Sequence, residues 1–194
     1  MINHKKRADG AMSACPLFQA EDGGSIPTSA LQFRIEEIAM RVACDLNAVW
    51  HSMLPRTDLG NMLCGNTSVA YAAEFDRRYF AVAIFSQPII RAIAKDGKTI
   101  ELRRLAICSD APKNTASRML SVCRRLVKKK YPQMEKIVSY LAVDVHKGTI
   151  YRASGWKPVG QIVAARPQRL RGSKQRATGP LQTTSAKQRW EIDL

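Results

Sequence analysis

Two side chains combine an ionisable group with a position at the end of a predicted element. Asp144 closes the predicted strand Ile137–Asp144, where a carboxylate can take a proton or orient a reacting group. His51 follows a predicted helix and has an imidazole that titrates near neutral pH. Both also have structural interpretations, a strand-end cap for Asp144 and an ordinary structural histidine for His51.

A metal site is a second hypothesis for the same residues. His146 follows Asp144 by two positions, so Asp144, His146 and His51 form a candidate set of two histidines and one carboxylate. Their separation along the chain gives no metal-binding spacing, and we predict no metal. The five cysteines are scattered without a C-x₂-C pair, which argues against structural zinc and against a disulfide framework and suits a reducing cytoplasm.

A turn at residues 109–114 leads into a basic helix at about residues 115–131. The first N–H groups of a helix have no partner within it and attract anions. Lys113 and the N–H groups of residues 114–117 therefore form a predicted anion-binding turn. Asn114 and Thr115 are also natural helix N-caps, which is the structural interpretation of these two residues.

This turn connects two apolar strands, predicted at residues 102–108 and 137–144. Two such strands with a helix between them indicate a parallel βαβ unit. Arg103 and Arg104 are adjacent in the first strand, so the sequence predicts that they face opposite ways.

The remaining patterns predict a mixed sheet around this unit. Before it we expect a strand at 31–35, a helix at about 38–50, a loop at 56–66 and a hairpin of strands 67–75 and 79–85. After it we expect a short helix ending at 154–156 and strands at 161–165 and 187–194. The predicted fold class is α/β, with parallel central strands flanked by helices. Residues 1–28 are predicted to be a flexible arm, and 29–194 one domain.

A net charge of +15 indicates a polyanionic partner, and nucleic acid is our first hypothesis. The cations are concentrated on the basic helix and in a predicted basic arm at about 166–188, although plain disorder also explains the arm. The predicted phosphate-contacting residues are Arg124, Lys128, Lys129, Lys130, Arg169, Arg171, Lys174 and Arg176. No apolar run reaches the length needed to span a bilayer and no secretory signal is evident, so we expect a soluble protein without a membrane partner.

The element order and the run from Gly148 to Gly160, GTIYRASGWKPVG, resemble the GCN5-related N-acetyltransferase (GNAT) superfamily. More narrowly, LRRLAIC at 102–108 followed by DAPKNTASR at 110–118 is similar to the phage Mom family. Members of that family modify adenine in phage DNA with a carbamoylmethyl group on the exocyclic amine, which protects the DNA from restriction. The resemblance covers roughly residues 31–162.

The resemblance implies a transferase that acts on adenine in double-stranded DNA, in the cytoplasm of a bacterial host during phage infection. It implies that Tyr151 is a general acid, and it supports His51 because the family has a histidine near this position. The implied donor-binding residues are Ile107, Ser109, Lys113, Asn114, Thr115, Ala116, Ser117 and Arg118. Base flipping is expected, and Trp50, Tyr71 and Trp156 are candidate stacking residues.

The predicted anion-binding turn departs from the GNAT pattern. It contains no glycine, Pro112 has no N–H, and Asp110 is itself an anion. The donor is therefore an unknown acyl donor, a small molecule or one held by a carrier, with acetyl-CoA as one candidate. Two other functions stay open: a GNAT acting on a protein or small-molecule amine, and a non-catalytic DNA-binding protein on the same scaffold.

Overall fold

A computed structural model describes residues 34–51, 59–63, 65, 67–75, 77–163 and 186–194. The predicted arm at 1–28 and residues 166–185 of the predicted basic arm lie outside the described residues, as do the first three residues of the predicted strand 31–35. The structure therefore does not test those predictions.

The described residues form twelve elements in an α/β order. They are β1 (Arg34–Ile38), α1 (Met40–Trp50), α2 (Leu59–Met62), β2 (Val69–Phe75), β3 (Arg78–Ser86), α3 (Arg91–Ala94), β4 (Thr99–Ile107), α4 (Thr115–Lys130), β5 (Lys136–Ala142), α5 (Thr149–Ala153), β6 (Lys157–Val163) and β7 (Lys187–Asp193). The predicted helices and strands are present with shifted ends. The predicted loop at 56–66 contains the short helix α2.

The strands form one seven-stranded sheet in the order β1-β2-β3-β4-β5-β7-β6. Neighbouring strands are antiparallel except β4 and β5, which are parallel and joined through α4. The predicted mixed sheet with a parallel βαβ unit at its centre is confirmed.

Helices cover both faces of the sheet. On one face, here the α4 face, Met119, Leu120, Cys123 and Val127 of α4 are buried against the sheet. Their helical spacing makes one apolar stripe, and burying each side chain contributes about 1.5–3 kcal/mol. On the other, here the α1 face, Ala43 and Leu46 of α1 are part of a second buried cluster. No helix among the described residues has the length and apolar character needed to cross a membrane.

A β-bulge in β4 changes which way its arginines face. Ile84 pairs with Arg104 and Phe85 with Leu102, which leaves Arg103 as the extra residue. Arg103 donates to the Ser86 hydroxyl at 3.1 Å and lies 3.5 Å from the Glu101 carboxylate.

The charge of Glu101 acts on Arg104 as well, and Arg104 pairs with a residue of the α1-face cluster. Both arginines therefore lie on the α1 face, and the prediction that they face opposite ways was wrong. Strict alternation fails here because the bulge inserts one residue.

Gly148 precedes α5 and provides a test of the packing beneath it. Its φ is +74°, and a Cβ there would lie 2.4 Å from Cζ2 of Trp190. We expect Gly148→Ala to lower the free energy of unfolding by roughly 3 kcal/mol, measured by chemical denaturation. Gly97→Ala is the matched control, because Gly97 has a φ of +65° and no atom near its Cβ position. An equal loss in both variants would contradict the predicted contact with Trp190.

Candidate active site

The two parallel strands separate where the candidate site begins. β4 and β5 pair only over Thr99–Glu101 and Lys136–Val138, although both strands continue towards their carboxyl ends. At the point of separation the Ser139 hydroxyl donates to the Leu102 carbonyl at 3.2 Å. A ligand-binding opening is expected at this place, outside the carboxyl ends of parallel strands.

The N-terminus of α4 lies at the same end of β4. Asn114 occupies the N-cap position of α4, as its structural interpretation expected, but it has a φ of +66° and its side chain makes no capping hydrogen bond. The Thr115 hydroxyl donates to the Pro112 carbonyl at 2.7 Å, and the Arg118 N–H donates to the Asn114 carbonyl at 3.0 Å.

The backbone N–H groups of Ala116 and Ser117 have no acceptor among the described residues. The predicted residues Ser109 and Lys113 are exposed beside this turn, and Ile107 is the half-buried last residue of β4. The structure therefore brings the predicted donor-binding residues together at one helix end with two free N–H groups.

Asp110 does not stand as a lone anion at this turn. Arg78 of β3 forms an ion pair with its carboxylate, and the Cys108 thiol donates to the other carboxylate oxygen. Burial alone raises the pKa of Asp110, but the hydrogen bond from Cys108 and the charge of Arg78 hold it below its ordinary value. Burial and the bond to Asp110 raise the pKa of Cys108, which keeps the thiol protonated.

Removing Arg78 should therefore expose a negative charge where an anion is expected to bind. We expect Arg78→Ala to weaken binding of inorganic pyrophosphate about threefold, measured by titration calorimetry, because both partners are partly exposed and screened. Asp110→Asn in the Arg78→Ala background should restore the affinity. The control is Arg77→Ala, which removes the same charge from an exposed neighbour. An equal loss in Arg77→Ala would show a general charge effect instead.

Tyr151 is buried beneath the point where β4 and β5 separate. Its side chain is 6% exposed, its ring stacks on Trp190 with centroids 5.3 Å apart, and Trp156 packs edge-on at 5.3 Å. Its hydroxyl lies 2.8 Å from the Ser139 hydroxyl. Ser139 has one proton and gives it to the Leu102 carbonyl, so Tyr151 donates to Ser139.

Burial raises the pKa of Tyr151, so the phenol is protonated at neutral pH. A general acid must reach the reacting group. Tyr151 can therefore act only when the Tyr151–Ser139 hydrogen bond breaks, or through Ser139.

His51 lies within range of the charge of Arg104 on the α1 face. His51 follows the last residue of α1, and its N–H donates to the Asn47 carbonyl at 2.9 Å. Burial, then the charges of Arg104 and His146, lower the pKa of His51 to about 4. The imidazole is neutral at pH 7 and can accept a proton. This interaction connects β4 with α1, which the linear sequence did not indicate for Arg104.

Asp144 is exposed in the turn that follows β5 and not at the end of the strand, which corrects the predicted position. No group of three or more histidine, cysteine, aspartate or glutamate side chains suitable for a metal is found in the described part of the chain. The hypothetical site of Asp144, His146 and His51 is therefore not formed.

The candidate stacking residues are mostly core residues. Tyr71 and Trp156 are buried in the α4-face cluster, and Trp50 is half-buried against the α1-face cluster. The sequence reasoning did not select Tyr140, a half-buried residue of β5. Its signal was the alternation of β5, which places Tyr140 opposite its buried neighbour Ser139.

The predicted phosphate-contacting cations of α4 divide into two groups. Arg124 and Lys129 are exposed. Lys128 donates to the carbonyls of Pro132 and Met134, and Lys130 pairs with Glu37. Lys128 and Lys130 therefore bind the protein itself, as cations at a helix C-terminus often do. The other predicted cations, Arg169, Arg171, Lys174 and Arg176, lie outside the described residues.

Several solved structures with a similar fold are acetyltransferases. A Bacillus subtilis acetyltransferase in complex with CoA matches with a TM-score of 0.58 at 15% identity, covering 84% of this chain and 99% of that one. The IAA acetyltransferase from Bacillus cereus matches with a TM-score of 0.58 at 13% identity, covering 84% and 100%. The spermidine N-acetyltransferase from Vibrio cholerae, in complex with CoA and spermine, matches with a TM-score of 0.56 at 13% identity, covering 84% and 95%. The fold is GNAT-like, as predicted.

The comparisons with protein sequences identify a narrower group of proteins than the fold does. No curated protein sequence matches this chain at a significant level. The Mom protein family matches residues 79–191, which is more than half of the chain and runs from β3 to β7. This region contains the βαβ unit, the anion-binding turn, Arg104 and Tyr151. The chain belongs to the Mom protein family.

Proposed function

We propose that this protein modifies adenine in double-stranded DNA at the exocyclic amine, as a transferase with a Mom-like carbamoylmethyl product that protects the DNA from restriction. The observation that carries the proposal is the separation of β4 and β5 beyond Glu101 and Val138, where a ligand-binding opening is expected. The anion-binding turn of α4 lies at the end of β4, and His51 and Arg104 lie on the α1 face of the same opening. The donor of the transferred group and the adenine amine can therefore meet there.

The chemistry joins the amine nitrogen to a carbon of the donor while the donor's leaving group departs. The amine must lose a proton, and the leaving group gains one. His51 is neutral and can take the amine proton. Arg104 supplies positive charge beside it, which stabilises a developing anion. Tyr151 supplies the second proton, directly or through Ser139.

The donor is held by the anion-binding turn in this proposal. The free N–H groups of Ala116 and Ser117, the first turn of α4 and Lys113 suit an anionic group. The ion pair with Arg78 removes the objection that Asp110 repels such a group. The turn still lacks glycine, so acetyl-CoA is one candidate donor and a different acyl donor is another. Acyl transfer alone would leave an N-acyl group on the amine. The carbamoylmethyl product therefore also requires a source of the amide nitrogen and a bond from the amine to the methylene carbon.

Duplex DNA is the proposed acceptor because the net charge is +15 and the family match supports DNA as a substrate. The exposed Arg124 and Lys129, with the basic segment at about 166–188, are the proposed phosphate contacts. Neutralising phosphates releases counterions, so binding should weaken steeply as salt rises. The adenine must leave the base stack to reach the opening. Restriction acts on DNA in the bacterial host cytoplasm, where the proposal places the enzyme.

Mass spectrometry of nucleosides from bacterial cells that express the protein tests this function directly. The proposal expects a modified adenine in digested DNA and none in cells without the gene. Salt-dependent duplex binding without modified adenine would favour the non-catalytic DNA-binding alternative, which the enclosed Tyr151 hydroxyl favours. Weak duplex binding and no modified adenine would favour a GNAT acting on a protein or small-molecule amine.

A further inference from the structure

Tyr140 lies on the α1 face of the sheet, where the proposed function expects the adenine. It pairs with Arg189 of β7, while its neighbour Ser139 pairs with the buried Trp190. Successive strand residues face opposite ways, and Ser139 contacts Tyr151 on the α4 face. Tyr140 therefore projects from the α1 face, the face of His51 and Arg104. It is also beyond Val138, the last residue of β5 that pairs with β4.

The hydroxyl of Tyr140 is enclosed but has no hydrogen-bond partner. The residue as a whole is only half-buried, so its accessible surface belongs to atoms other than the hydroxyl. A buried hydroxyl without a partner destabilises the fold, because it has lost its hydrogen bonds to water. Native proteins rarely keep such a group, and one that persists in a site indicates an absent ligand atom.

None of the charged neighbours of Tyr140 accepts a hydrogen bond from its hydroxyl. Burial and then the charge of Glu101 raise the pKa of Tyr140, so the hydroxyl remains a donor. Glu101 is itself engaged, because it accepts the Ile89 N–H at 2.9 Å and lies 3.5 Å from Arg103. Glu191 lies 2.9 Å from both Lys136 and Arg189. The missing partner is therefore an acceptor that comes from outside.

One arginine of the bulge shows the same deficit. The Nε atom of Arg104 is also enclosed without a hydrogen-bond acceptor, whereas Nε of Arg103 lies 3.5 Å from the Glu101 carboxylate. Unmet donors thus lie on two adjacent strands of the α1 face, on both sides of the opening. The group that satisfies them must carry several acceptors, and the side chains that cover these enclosed donors must move aside to admit it. A purine ring, with acceptor nitrogens on its edges, fits this requirement better than a hydrated tetrahedral phosphate.

We infer that Tyr140 contacts the acceptor base, donating its hydroxyl to a ring nitrogen of the extruded adenine. The inference rests on the proposed function and adds a substrate-binding residue to it. The cost of the unpaired hydroxyl in the free protein is then recovered when the base enters. The same cost predicts that removing the hydroxyl impairs modification without destabilising the fold.

Tyr140→Phe tests this, with Tyr131→Phe as the matched control. The Tyr131 hydroxyl donates to the Ser68 carbonyl at 3.0 Å at the far end of α4, so its loss should lower the melting temperature and leave modification unchanged. Tyr140→Phe should reduce the modified-adenine fraction of cellular DNA about tenfold or more, because a buried donor contacts the substrate. Its duplex affinity should stay within about twofold of wild type, because phosphates dominate affinity. Its melting temperature should be equal or higher.

Wild-type modification in Tyr140→Phe would overturn the inference, and so would a lowered melting temperature, which would show a structural role. A loss of duplex affinity equal to the loss of modification would indicate a phosphate contact and would also overturn it. Absence of modified adenine in the wild type is a different result, since it rejects the proposed function itself.

Discussion

Replacing His51 with glutamine is expected to reduce the modified-adenine fraction roughly a hundredfold or more, which is the usual contribution of a positioned general base. The reason is that His51 is neutral at pH 7 and lies within range of the charge of Arg104 on the α1 face. Glutamine keeps a polar side chain of similar length but cannot take a proton. The measurement is mass spectrometry of nucleosides from cells with matched protein levels.

His146→Gln is the control for this substitution. His146 is exposed and acts on His51 only through its charge, so modification should change by a few-fold at most. Equal losses in the two variants would contradict a special role for His51.

The lowered pKa of His51 also has a consequence for stability. The unfolded chain binds this proton near pH 6.5, whereas the folded protein binds it near pH 4. The neutral imidazole therefore stabilises the fold above pH 6.5, and this contribution is lost as the pH falls towards 4. His51→Gln should make the melting temperature less sensitive to acid in this range. An anionic ligand beside Arg104 should raise the pKa of His51, which NMR titration with and without duplex DNA can measure.

Tyr151→Phe is expected to abolish modification while duplex binding persists. The substitution removes the proposed proton donor, whose loss costs roughly a hundredfold or more, and keeps the ring that packs on Trp190 and Trp156. The lost hydrogen bond to Ser139 should lower the free energy of unfolding by only about 1 kcal/mol. Nucleoside mass spectrometry and a salt titration of duplex binding measure the two effects separately.

Ser139→Ala distinguishes direct proton transfer by Tyr151 from transfer through Ser139. If the proton passes through Ser139, this variant should lose modification as Tyr151→Phe does. If Tyr151 acts directly, freeing its hydroxyl should preserve modification. Retained modification in Tyr151→Phe would remove Tyr151 from the mechanism.

Local patterns were sufficient to predict the framework of the site. The apolar strands around a basic helix predicted the βαβ unit. Strands buried on both faces and helices with one apolar face can both be recognised from the pattern of neighbouring residues. The same reasoning predicted the turn that precedes α4, and anion binding there stays a prediction. These features depend on contacts within a short stretch of chain.

Features that depend on distant residues were not predictable in this way. Tyr151 is enclosed by Trp190, which arrives from a strand much later in the sequence. The bulge at Arg103 is set by pairing with β3, and nothing in the local pattern of β4 indicates it. The charge environment of His51 combines α1, β4 and the turn after β5. Each of these three features depends on the tertiary structure and is not visible in a short stretch of sequence.

The position of β7 between β5 and β6 affects how the molecule acquires this arrangement. β5 is made before α5 and β6, yet one of its edges must wait for β7 to be synthesised. During that interval the nascent chain has an unpaired, apolar strand edge, which is a template for aggregation. Closing the sheet is a long-range event and should be slow compared with formation of the β1–β4 meander. A pulse-labelled refolding experiment should therefore detect protection of β2 and β3 amides before those of β5.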